Sequence, residues 1–128
     1  MGVEPMRKYF SDEAWAQFGD YWSYWPPPKW LDFYLDVESA LDEDPASERA
    51  EALVARFYVL WHEDTGNDPA LKSAIRQGCA TAWADRDNWP PPLRDAWSSF
   101  DWDAIGRFIG AASLAALERR GPQFFAPR

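Results

Sequence analysis

His62, Glu63 and Asp64 stand side by side, and His62 is the only histidine in the chain, so any metal or proton-transfer chemistry should begin there. A metal centre takes several converging ligands, and the sequence offers His62 neither a second imidazole nor a pair of thiols. Cys79 is the only cysteine. It falls on an apolar helical stripe and reads as a core thiol. The acidic clusters Asp42-Glu43-Asp44, Asp85-Arg86-Asp87 and Asp101-Trp102-Asp103 all lie at predicted helix ends or in loops, where carboxylates serve as caps. Ser98 and Ser99 have no nearby base pattern, and neither a phosphate loop nor a dinucleotide fingerprint occurs. The expectation is a protein that is not an enzyme and has no metal or cofactor.

The side chains that remain are suited to recognition. The chain carries nine Trp, eight Phe and five Tyr, 17% of its residues. Flat rings stack on flat ligands, and an indole adds an N–H that wants a partner when buried. Trp22, Trp30, Tyr34, Tyr58, Trp61, Trp83, Trp97 and Trp102 are the candidates for a stacking cavity, with His62 as a hydrogen-bond donor beside them. A formal charge of −8 argues against nucleic acid as a direct partner and suits a neutral or cationic small molecule. No apolar run reaches membrane-spanning length, so no membrane partner is expected. With a single cysteine, a reducing cytoplasm is the natural location. Oligomeric state is left open.

These side chains must be positioned by helices. At 128 residues the chain is expected to form one all-α, compact helical domain over residues 11–121, between a flexible stretch 1–10 and a tail 122–128. Ser11 caps a first helix whose Trp15, Phe18, Trp22 and Trp25 recur at helical spacing. This helix is poor in aliphatic residues and is cut off by Pro26-Pro27-Pro28. It should therefore be the least stable segment, and a ligand would order it as a lid. A second helix is expected from about Lys29 to Asp42, with Trp30, Phe33, Tyr34, Val37 and Leu41 on one face.

The central stretch from Asp44 to Cys79 reads as a helical hairpin. Asp44-Pro45 and Asp68-Pro69 are start signals, and Thr65-Gly66-Asn67 is the stop between them. Ala50, Leu53, Val54, Phe57, Tyr58 and Trp61 face Leu71, Ile75, Cys79 and Ala82, which predicts antiparallel packing. After a second Trp-Pro-Pro-Pro run at Trp89, a short helix with Leu93 and Trp97 precedes a last helix capped by Asp101 and closed by Gly121-Pro122. Gly106 and Gly110 on that last helix would let another helix approach closely.

The run DPASERAEALVARF, followed by TGNDPAL, resembles the centre of the TipAS family, the antibiotic-recognition domains often found behind a MerR-type DNA-binding head. Lys8-Tyr9-Phe10-Ser11 before a helix, and Trp30, Leu31, Val37, Ala40 and Leu41 on the next, fit as well. The resemblance covers roughly residues 8 to 77. It implies a globin-like all-α domain of five or six helices that binds a bulky aromatic or macrocyclic antibiotic, as an effector sensor or a resistance protein without the DNA-binding head. The alternative is a non-catalytic interaction module that holds a protein partner through an exposed aromatic and Pro-rich surface, including Phe124 and Phe125.

Overall fold

The computed structural model describes residues 4–23 and 27–126. Tyr24, Trp25 and Pro26, which include one end of the expected aromatic stripe, lie outside the described residues. Every regular element among the described residues is helical and none is a strand, so the chain is all-α. The helices are α1 (Glu4–Arg7), α2 (Asp12–Ser23), α3 (Pro28–Ser39), α4 (Glu48–Thr65), α5 (Pro69–Ala84), α6 (Pro91–Trp97) and α7 (Trp102–Arg120), with short 3-10 turns at Arg86–Asn88 and Pro122–Phe125. The last six are of seven residues or more.

Most of the boundaries follow from local chemistry. The Ser11 hydroxyl accepts from the backbone N–H of Ala14, which caps α2. Asp68 accepts from the N–H groups of Ala70 and Leu71, and Pro69 occupies the first helical position of α5. Asp101 accepts from Ala104 N–H at the start of α7. Helix α4 stops at Gly66, whose φ of 74° is the left-handed conformation that only glycine adopts cheaply. Gly121, with φ 81°, closes α7 in the same region.

One start signal was misplaced. Helix α4 begins at Glu48 instead of beside Asp44-Pro45. The Asp44 carboxylate accepts from Ala46 N–H, and its carbonyl accepts from Ser47 N–H. These bonds form a turn, and Ser47 then caps the helix through Ala50 N–H. Asp can serve a turn or a cap with the same hydrogen bond, and here the following Ser took the cap.

The helices group into two compact units. One holds the described residues up to Pro27 together with His62–Phe100; the second holds Pro28–Trp61 together with residues from Asp101 to Ala126. The division falls inside α4, between Trp61 and His62.

In the first unit α2 packs against α5. The spacing of the apolar residues predicted α4 as the partner of α5, but residues 48–61 of α4 belong to the second unit. On α2, expected from its composition to be loosely held, Ala14, Phe18, Tyr21 and Trp22 are buried. Rings from outside the helix supply what its missing aliphatic residues do not. Phe10 lies 6.3 Å from Phe18 and 6.5 Å from Trp22 between ring centroids. The Gln17 amide also donates to the Asp64 carbonyl at 3.1 Å. Within the stretch expected to be flexible, Met6 on α1 is only 2% exposed.

The close packing of this unit depends on Gly78 of α5. A Cβ there would lie 2.5 Å from Phe10 Cδ1 and 2.9 Å from the Tyr9 carbonyl oxygen. The segment before α2 thus crosses α5 at the one residue without a side chain.

In the second unit Trp30, Phe33, Tyr34 and Val37 of α3, Ala50, Leu53, Val54 and Leu60 of α4, and Ile105, Phe108, Ala112 and Ala116 of α7 are buried. Asp32, Asp36 and Asp42 are exposed, a solvated face of the α3 region, and Asp36 pairs with Arg56. Glu51 accepts from both Arg119 and Arg120, which ties the start of α4 to the end of α7. The tail folds back, with the Phe125 ring 4.9 Å from Tyr58. Gly106 and Gly110 are exposed and a Cβ at either would meet nothing within 4 Å, so the close helix approach expected there does not occur among the described residues.

Candidate functional site

The candidate ligand residues divide between the two units. Trp30, Tyr34, Tyr58, Trp61 and Trp102 belong to the second; Trp22, His62, Trp83 and Trp97 belong to the first. In the second unit Trp30 and Tyr34 are core residues, 2% and 7% exposed. Trp30 meets the edge of Phe57 at 5.8 Å, and Tyr34 meets the edge of the half-buried Trp102 at 4.8 Å. Tyr58 rests between Phe57 and Phe125, and Trp61 is half-buried on α4. These contacts form a ring-rich core.

The first unit brings together three of its four candidates and adds a fourth tryptophan. The Trp22 and Trp97 rings stack at 5.7 Å with an interplanar angle of 28°. Trp83 lies 5.5 Å from Trp97. Trp89 touches all three: 5.7 Å from Trp22, 6.2 Å from Trp83 and 5.2 Å from Trp97. Offset and edge-to-face pairs of this kind contribute about 0.5–1.5 kcal/mol each beyond area burial. The four indoles come from α2, the end of α5, the loop before α6 and the end of α6.

Trp89 was missing from the candidate set, although the signal for it was present. Pro90 follows it, Pro91 opens α6, and Trp89 is held extended at φ −68° and ψ 152°. Its indole N–H donates to the Ala82 carbonyl at 3.0 Å, a buried bond that fixes the ring plane. The Pro run stiffens the backbone beside the central ring of this cluster.

The two ends of the cluster differ. Trp22 is 3% exposed, and its buried indole nitrogen has no hydrogen-bond partner among the described residues. An orphaned buried donor costs about 1–3 kcal/mol relative to a satisfied one. Trp83 and Trp97 are half-buried and leave the cluster a reachable flank. The Arg86 guanidinium lies 4.6 Å above the Trp83 ring and donates to the Trp83 carbonyl at 2.9 Å. That flank therefore offers stacking surface and a cation.

Beside the tryptophans, the Tyr9 hydroxyl donates to Asp85 Oδ2 at 2.5 Å, and the Asn88 amide donates to Asp85 Oδ1. Burial first, then the hydrogen bond and charge of Asp85, push the Tyr9 phenol up to about 12. The same bond from Tyr9, followed by that from Asn88, holds the Asp85 carboxyl below its usual range. A tyrosine in the unfolded chain ionises near pH 10. Since the folded value is raised, stability from Tyr9 is complete below about pH 10 and is lost as pH rises towards 12. Alkaline titration followed by tyrosinate absorbance should show one of the five tyrosines ionising late, together with unfolding. Tyr9→Phe should remove that late phase; five tyrosines titrating together in a native protein would contradict it.

Burial pushes the Cys79 thiol up to about 12, so it is a thiol at neutral pH, as its place on the α5 stripe suggested. Among the described residues no group of three or more His, Cys, Asp or Glu could hold a metal ion. No helix among them is long and apolar enough to cross a membrane. His62 is engaged with Lys72. No protein-family model, no curated protein and no solved structure matches this chain.

Proposed function

We propose that this protein binds a bulky aromatic or macrocyclic drug-like molecule, in the manner of a TipAS-type antibiotic-recognition domain, and that the four-tryptophan cluster is where it binds. The observation that carries this reading is the buried indole N–H of Trp22, unpartnered among the described residues, within a cluster whose other end is half-exposed. A ligand that stacks on Trp83 and Trp97 and presents a carbonyl or ring-nitrogen acceptor to Trp22 would satisfy that donor. Satisfying a buried donor favours binding by about 1–3 kcal/mol, on top of the burial of flat apolar surface. Arg86, stacked on Trp83, favours a ligand with acceptor atoms at its rim.

The site proposed is therefore narrower than the set expected from the sequence. It keeps Trp22, Trp83 and Trp97, adds Trp89, and leaves Trp30, Tyr34, Tyr58, Trp61 and Trp102 to the second unit. His62 is set aside because Lys72 occupies its Nδ1. The role of such a protein is to sense or sequester its ligand, with no chemical turnover at the tryptophans.

A fluorescence-quenching screen against a library of macrocyclic and polycyclic antibiotics tests the reading. At least one class should quench with saturation, and Trp97→Leu should weaken it by about tenfold, the loss of one well-stacked ring pair. Absence of saturable quenching by any member of the library would oppose the reading.

A further inference from the structure

The last turn of α4 and the start of α5 form a second group of polar side chains that the tryptophan site does not use. Gly66 reverses the chain and Asp68 starts α5, so Lys72 comes back beside the end of α4. Lys72 Nζ lies 2.6 Å from His62 Nδ1 and 2.7 Å from Thr65 Oγ1. Thr65 is fully buried, while His62 and Lys72 are half-buried.

A lysine near a helix C-terminus is ordinarily a charged cap for the last carbonyls. Here the amine bonds two side chains instead of those carbonyls. Burial first, and then the charge of Arg76, hold the Lys72 ammonium below the usual lysine range. A neutral amine has two N–H groups and one lone pair. With the His62 proton on Nε2, His62 Nδ1 and Thr65 Oγ1 accept both N–H groups and leave the lone pair available. The geometry places an amine with a base at hydrogen-bond distance, the arrangement that activates a nucleophilic lysine.

We propose that Lys72 is a carbonyl-reactive amine, with His62 as its proton relay, and that it takes the carbonyl group of a small oxo acid. The lone pair on Nζ attacks the carbonyl carbon. Nζ gives one proton to His62 Nδ1, which passes it to the carbonyl oxygen to form a carbinolamine. Nζ then gives its second proton to His62 Nδ1, and the imidazolium delivers it to the departing hydroxyl, which leaves as water as the C=N bond forms. Amine and carbonyl compound become imine and water, with no oxidation or reduction. Arg76, one helical turn beyond Lys72, supplies the charge that favours a carboxylate-bearing carbonyl compound. This site is independent of the tryptophan cluster, and neither proposal falls with the other.

The chain has three lysines, Lys8, Lys29 and Lys72, which makes the test direct. The folded protein is incubated near neutral pH with glyoxylate, and cyanoborohydride is added to reduce any imine to a stable amine. Peptide mass mapping then gives the rate at each lysine. Labelling at Lys72 should be at least about tenfold faster than at Lys8 or Lys29, as expected for an activated amine. Urea-unfolded protein should lose the difference. His62→Gln should slow Lys72 by about 100-fold, the low end of what a positioned general base supplies, and leave the other two unchanged. Labelling of Lys72 no faster than the other lysines in the wild-type protein overturns the proposal, whatever the variant does. An unchanged Lys72 rate in His62→Gln overturns the relay, and equal reaction with propanal overturns the preference for an oxo acid.

Discussion

Replacing Trp89 with alanine is expected to lower the stability of the protein by about 3–5 kcal/mol, the range for removing a large buried aromatic side chain. Trp89 is 4% exposed and touches three other indoles. Its loss removes those contacts and leaves the Ala82 carbonyl without the N–H that it now accepts. Trp89→Phe should cost less, since a smaller ring keeps part of the packing and forfeits the hydrogen bond, which is worth about 0.5–1.5 kcal/mol. Urea unfolding of the two variants checks the order. Equal losses in both would mean that ring volume is unimportant and that the cluster is not packed as described.

Gly78→Ala is expected to destabilise the protein even though alanine is the better helix former. The gain in propensity is about 1 kcal/mol. Against it stands overpacking of about 1–3 kcal/mol, and one of the contacts is the Tyr9 carbonyl, a backbone atom that cannot rotate away. The upper part of that range applies, and a net loss of about 1–2 kcal/mol follows. A second substitution, Phe10→Leu, relieves the ring clash but leaves the carbonyl clash, so the pair should recover only part of the loss. Equal or greater stability in Gly78→Ala would show that residues 8–10 do not cross α5 where the structure puts them.

Local structure was largely legible in the sequence. Asp68-Pro69, Gly66, Asp101 and Gly121 each punctuate a helix through one backbone or side-chain preference, and each acts at its expected position. The stripe on α5 was also legible, since Ile75 and Ala82 are buried. Partner choice was not. Periodicity shows which side of α5 is apolar and says nothing about which helix covers it, and here it is α2. Gly78 illustrates the same limit: on the sequence it is a helix-weakening residue, and only the crossing of Tyr9 and Phe10 explains it.

The candidate site was legible in kind and unreadable in grouping. A chain with nine tryptophans announces ring packing, yet helical spacing cannot say which rings meet when they sit on different elements. Trp22 and Trp97 are 75 positions apart and stack, whereas Trp61 and His62 are adjacent in sequence and belong to different units. The pairing of Lys72 with His62 was hidden for a similar reason. It crosses the Gly66 turn, and nothing in the local pattern marks Lys72 as different from Lys8 or Lys29.

In the proposed binding mode the Trp22 indole N–H is the hydrogen-bond donor for a ligand lying on Trp83 and Trp97. It is tested most directly by following the nine indole N–H resonances in nitrogen-15-labelled protein while a quenching ligand from the antibiotic screen is titrated in. The Trp22 signal should move downfield with saturation, the Trp83 and Trp97 signals should move with it, and Trp22→Phe should weaken binding by about tenfold or more, the equivalent of one buried hydrogen bond. Shifts confined to Trp30, Trp61 and Trp102, with Trp22 unmoved at saturation, would contradict it.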